Sequence, residues 1–181
     1  MRWLRLINTI FFSFFRGNLS SITDESVINF RVWVTDVDLS VMNNAAMMVV
    51  LEMGRLDLIM RSGFYKLALK SKWYFPTRSF NIQFLRPLKV FQKAQLRTRV
   101  FYMDERWIYM EQKIVRGQKD IAICISKNTV KKGRETVSTA KIAKALGFSK
   151  IPTEGKNIIQ MTEKGENLIY RRMTTTNDPS H

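Results

Sequence analysis

Residues 43-62, NNAAMMVVLEMGRLDLIMRS, constrain the fold more than any other stretch of the chain. Met47, Met48, Val50, Leu51, Leu56, Leu58 and Ile59 spread around nearly the whole circumference of a helix with 3.6 residues per turn. A helix apolar on all sides has to be wrapped by a sheet or buried in an interface. Asn43 or Asn44 can cap its start with a side-chain amide, and Gly63 can end it. Just before it, a strand-like run from Val27 closes on two carboxylates, Asp36 and Asp38. A carboxylate beside helix-start N–H groups pairs a base or nucleophile with donors for a developing oxyanion. Attack on an ester or thioester carbonyl needs that pairing.

Composition narrows the chemistry. The 181 residues suit one domain with tails, and 45% hydrophobic content supports a sizeable core. The one cysteine, Cys124, sits in the apolar run Ile121 to Ile125 and reads as a buried structural thiol. The one histidine is the last residue, His181. Histidine triads, histidine general bases and Cys/His zinc sites are therefore removed from the core, and no phosphate loop or dinucleotide glycine pattern occurs. Chemistry has to rest on carboxylates, amides, hydroxyls and backbone dipoles, with no cofactor or metal.

The net charge of +15 attracts polyanions: nucleic acid, anionic membrane, or a phosphate-rich molecule such as coenzyme A. Lys127, Lys131, Lys132, Arg134, Lys141, Lys144, Lys150 and Lys156 carry much of the excess and read as a solvated basic face. The aromatics lie in strand-like segments without the glycine–aromatic signature of RNA-binding sheets, which argues against nucleic acid.

The order of elements follows from periodicity and turn residues. Residues 1-16 read as an amphipathic helix, with Trp3, Ile7, Ile10, Phe11 and Phe14 on one face. Arg2, Arg5, Thr9, Ser13 and Arg16 lie on the other. At about 1.5 Å per residue, 16 residues reach about 24 Å, short of a bilayer core of about 30 Å. No small-x-small cleavage site follows. The helix is expected to dock on the domain surface or lie peripherally on a membrane. A strand over 27-35 precedes the long helix. Strand-like segments follow over 73-86, 94-103, 106-116 and 119-130. Asp104-Glu105 and Arg116-Gly117-Gln118 mark tight connections in an antiparallel meander. A second helix spans about 138-146 between a Ser138 or Thr139 cap and Gly147. The expected division is an N-terminal helix and linker (1-21), one α+β domain (22-150) and a partly disordered tail (151-181).

This order, with a D-x-D loop before the long helix, resembles the hot-dog fold of thioesterases, in which an antiparallel sheet wraps a central helix. The pieces that carry the resemblance are Asp36-Val37-Asp38-Leu39, Met42-Asn43-Asn44-Ala45 and Gly54-Arg55-Leu56-Asp57. Phe84-Leu85-Arg86-Pro87-Leu88 with Phe91 follows, then the Asp104 to Gln112 hairpin. They are similar to the acyl-CoA thioesterase-like branch related to 4-hydroxybenzoyl-CoA thioesterase, over roughly residues 22-150. That branch usually reads D-x-D-L-x-x-H-M-N-N. Here the loop is one residue shorter and has no histidine.

The resemblance implies a soluble cytoplasmic hydrolase of fatty or aromatic acyl-CoA, active as a homodimer or higher homo-oligomer with sites at the subunit interface. It makes Asp38 the nucleophile or general base, and leaves Asp36 to shape the loop. Asn43, Asn44 and Ala45 fall at the helix start that polarises the carbonyl, and Glu52, with Arg55, at a polar position further along that faces substrate from a partner. The alternative is a catalytically weakened protein of the same fold that binds acyl-CoA or lipid, with peripheral membrane contact through the N-terminal helix. A dehydratase of this fold would need a core histidine for proton transfer, which the chain lacks.

Overall fold

The computed structural model describes residues 2-21, 23-148 and 152. Lys150, Lys156 and the tail expected over 151-181 lie outside the described residues, Pro152 apart.

Five strands build one antiparallel sheet: β1 (Ser26–Arg31), β4 (Thr77–Phe84), β5 (Lys93–Met103), β6 (Ile108–Arg116) and β7 (Lys119–Asn128), in the order β1-β5-β6-β7-β4. The turns that close the meander are coded locally. Asp104 Oδ1 accepts from the backbone N–H of Arg106 at 2.8 Å and Trp107 at 2.7 Å, and Gly117 takes φ +60 in a two-residue loop. Small hairpins β2–β3 (Val37–Asp38, Val41–Met42) and β8–β9 (Lys131–Lys132, Glu135–Thr136) complete the strands among the described residues.

The long helix α2 (Asn44–Arg61) lies across the sheet. Its Met47, Val50, Leu51 and Met53 form one core with Ile28, Leu96, Ile114, Ala122 and Cys124 of the strands. Contact is closest at Gly54. A Cβ there would stand 2.2 Å from Thr98 Oγ1 and 2.6 Å from Leu96 Cδ2, so only glycine lets the helix backbone settle this low. A second core, under the C-terminal half of α2, joins Leu58 and Phe64 to Val100, Met110 and Ile142.

The expected long helix, its cap and its stop all hold, but two other expectations need correction. The first strand ends at Arg31, because the chain turns into a 3-10 segment (Val34–Asp36) that leaves Val34 exposed. The two acids therefore sit on different elements, Asp36 in that turn and Asp38 in β2. The stretch after Gly63 forms a further helix, α3 (Phe64–Ser71), with Gly63 at φ +75 as the joint. Lys127 is not part of a solvated face: it is buried, with its ammonium 4.9 Å from the Trp107 ring centre.

The N-terminal helix α1 (Arg2–Ser13) packs against α2, and its polarity is inside out. Thr9 and Ser13 are buried, whereas Trp3, Leu4, Ile7, Phe11 and Phe15 are exposed. The reason lies in the domain beneath. Asp57 of α2 is 0% exposed and accepts from Ser13 Oγ at 2.6 Å, Ser26 Oγ at 2.5 Å and Arg16 Nη1 at 3.1 Å. Arg61 adds a longer contact at 3.5 Å. A buried carboxylate must be partnered, so the polar face of α1 turns inward to meet it. The last described helix, α4 (Thr139–Ala145), contributes Ile142 to the second core. No described helix is long and apolar enough to cross a membrane.

Candidate active site

The D-x-D loop and the start of α2 converge. Asn43 has extended backbone geometry, and its side-chain Oδ1 accepts from Ala46 N–H at 2.7 Å, so Asn43 rather than Asn44 caps the helix. The same amide donates through Nδ2 to Asp38 Oδ1 at 3.2 Å. One side chain thus ties an exposed carboxylate to the helix terminus. Capping through Ala46 leaves the N–H groups of Asn44 and Ala45 directed past the helix end, where the macrodipole favours negative charge.

The short loop is a closed hairpin. Asp38 pairs with Val41 and Val37 with Met42, leaving Leu39-Ser40 as the turn. Leu39 takes φ +61 with its side chain fully in solvent, an uncommon conformation for a branched residue. Met42 N–H donates to Leu88 O at 2.8 Å and its side chain joins the core, so the end of the hairpin is fixed to the domain.

Asp36 faces the other way and is buried. Its Oδ2 accepts from Trp33 N–H at 2.8 Å and from Arg5 Nη2 at 2.5 Å, and its carbonyl accepts from Asn43 N–H at 2.8 Å. It acts as the loop's anchor. A cavity of about 300 Å³ opens between these elements, lined by Arg5, Thr35, Asp36, Asn43, Ala45, Ala46 and Val49. A second cleft, about 450 Å³, lies between α1 and β1.

Glu52 does not join this group. Eight residues into α2, at about 1.5 Å each, it stands about 12 Å from the helix start. There it pairs with Arg55 at 2.6 Å, and Arg55 in turn lies over the rings of Phe75 and Phe80 beside β4. Two residues of the neighbourhood carried no local signal in sequence. Arg5 read as part of a cationic surface face, yet it reaches the anchor carboxylate. Asp57 carries no mark of burial in its own helix, yet its two hydroxyl partners lie 31 and 44 residues away. Cys124 is buried as expected; burial pushes its thiol up to about 12, with Arg55 opposing and Glu52 adding to the shift.

Residues 32–146, more than half of the chain, match the family model of the thioesterase-like superfamily. The chain belongs to that superfamily. Within it, a probable thioesterase of Saccharomyces cerevisiae is 31% identical over 99 residues, which cover 52% of this chain and 43% of the yeast protein. The match thus spans less than half the length of that curated relative. Among solved structures, a probable thioesterase of Bartonella henselae superposes with a TM-score of 0.58 at 22% identity, over 64% of this chain and 98% of the other. A Staphylococcus aureus protein solved in complex with CoA gives 0.57 at 10% identity, over 78% and 96%. These superpositions establish the hot-dog architecture of the superfamily: an antiparallel sheet around a long central helix.

Proposed function

We propose that this protein hydrolyses acyl-CoA thioesters, with Asp38 as the catalytic carboxylate. The observation that carries the reading is the Asp38–Asn43–Ala46 chain of hydrogen bonds, which holds an exposed carboxylate at the open N-terminus of α2. A thioester carbonyl bound over the helix start beside Asp38 would direct its oxygen at the Asn44 and Ala45 N–H groups. Asp38 would attack the carbonyl carbon directly or take a proton from an attacking water. Either route cleaves the C–S bond to give free acid and CoA thiol. Membership of the thioesterase-like superfamily and the CoA-bound neighbour support the substrate class.

Asn43 orients Asp38 rather than reacting. Glu52, remote from Asp38 in one chain, would contribute only across a subunit boundary. A homodimer supplies one. β4 is an edge strand paired on one side only, to β7, and its end exposes Phe84 and then Leu85. Joining two β4 edges would extend the sheet and bring the Glu52–Arg55 side of each α2 towards the partner.

The test is thiol release from a panel of fatty and aromatic acyl-CoAs by the purified protein, with Asp38→Asn alongside. Turnover that falls at least about 100-fold in a folded Asp38→Asn protein supports the assignment. Tight acyl-CoA binding with no thiol release from any substrate would favour the second reading, a binding protein of the same fold, for which the absent loop histidine is the motive.

A further inference from the structure

We infer that the outer face of α1, continued by α3, is a docking surface for anionic lipid. Trp3, Leu4, Ile7, Phe11, Phe14 and Phe15 each keep more than half of their surface exposed. The orientation is fixed by the opposite side of the helix, where Arg5 is bonded to Asp36 and Ser13 and Arg16 to Asp57. Rolling the apolar side inward would take Ser13 from the fully buried Asp57 and Arg5 from the buried Asp36, so the fold itself holds these side chains in solvent.

The apolar surface continues past the end of α1. The Phe14 ring stands edge-on to Tyr65 of α3 at 5.7 Å, and Leu69, one turn beyond Tyr65, is 78% exposed. A lone exposed leucine is ordinary, but contiguous apolar surface across two helices marks an interaction site.

Charge selects the occupant. Neither helix contains an acidic residue. Lys66 and Lys70 lie one turn apart on α3, Lys72 follows it, and all three are exposed. A second copy of a chain with net charge +15 would set like charges against this rim, whereas phosphate headgroups would neutralise it. Aromatic and aliphatic side chains bordered by lysine are the composition of helices that lie in the plane of a bilayer interface. Arg5 and Arg16 are occupied by carboxylates, so among the described side chains the cationic part comes from α3.

The test uses the full chain and vesicles of phosphatidylcholine, with and without phosphatidylglycerol. Wild type is expected to co-sediment with the mixed vesicles, less so at high salt, and weakly with phosphatidylcholine alone. I7Q/F11Q alters outward side chains only; its melting curve should match wild type and its partitioning should fall at least about tenfold. K66Q/K70Q should lose roughly fivefold per lysine on mixed vesicles and little on neutral ones. Titration of wild type with mixed vesicles should also shift tryptophan emission to the blue, a readout that needs no variant. Unchanged partitioning of I7Q/F11Q, or no blue shift, overturns the inference. A drop in sedimentation mass for I7Q/F11Q without vesicle binding by either protein assigns the face to a second copy. Soluble monomers that ignore both vesicles assign it to the chain's own residues 153-181. Either of these last two results also overturns it.

Discussion

Asp38 and Asp36 stand two residues apart and do opposite things, because one projects from a hairpin strand into solvent and the other turns into the domain. The expected consequence is a split between turnover and folding. Asp38→Asn keeps the hydrogen bond to Asn43 and removes the charge, so turnover should drop by about 100-fold or more with the melting temperature nearly unchanged. Asp36→Asn breaks the ion pair with Arg5 and weakens the bond from Trp33 N–H, so thermal melting should show the larger effect and turnover the smaller. Cys124 offers a cleaner pH test. An unfolded chain ionises this thiol from about its ordinary 9.0, whereas the folded chain holds it protonated until about 12. Stability therefore falls as pH rises through that window and is unaffected by this group below it. Denaturant melts of wild type and Cys124→Ala from pH 8 upward should converge as pH rises; parallel curves would show that the thiol is not shifted.

Among elements, α2 and the meander were legible because short-range chemistry writes their ends. Asn43 caps, Gly63 stops, and Asp104 and Gly117 turn the chain, all within a few residues of the boundaries they set. The two faces of α1 were equally legible; which face looks inward was not. That choice depends on Asp57 and Asp36, buried acids far along the chain with no local mark of burial. Replacing Asp57 with alanine should cost about 3 kcal/mol or more, because Arg16, Arg61 and two hydroxyls lose their shared acceptor. Hydrogen exchange should then show α1 amides opening first. The closed β2–β3 hairpin also decides how the missing histidine matters. Inserting histidine between Val41 and Met42 would break the Asp38–Val41 and Val37–Met42 register and push Met42 off Leu88. The insertion is expected to lower stability by at least about 1 kcal/mol without raising the rate. A faster enzyme with an unchanged melting curve would show that the hairpin tolerates the longer loop.

Among the described residues the sheet has two edges, β1 and β4, and β4 is paired only with β7. If two chains join there, the amides along Thr77–Phe84 should exchange as slowly as those of interior strands, and sedimentation at micromolar concentration should give twice 21.3 kDa. Rapid exchange along β4 together with a 21.3 kDa species would remove both the dimer and the cross-subunit place for Glu52. The same view of the assembly explains why the candidate site was only half readable in sequence. Asp38 and Asn43 are local to each other, whereas Glu52 pairs with Arg55 further along α2, and its place in a site rests on the proposed dimer.

The inside-out polarity of α1 also sets what this lineage can change. In most surface helices the buried apolar stripe resists drift and the wet side wanders. Here the constraint is reversed. Leu4, Ile7, Phe11 and Phe15 could trade among Leu, Ile, Met and Phe at little cost, since none has a shaped hole to fill. Ser13 and Arg16 are held by single atoms of Asp57 at 2.6 and 3.1 Å, and Arg5 by Asp36 at 2.5 Å. A descendant that lost its first helix would leave Asp36 without Arg5 and Asp57 without Ser13, so a segment that looks dispensable on a hydropathy plot is one its heirs cannot easily discard.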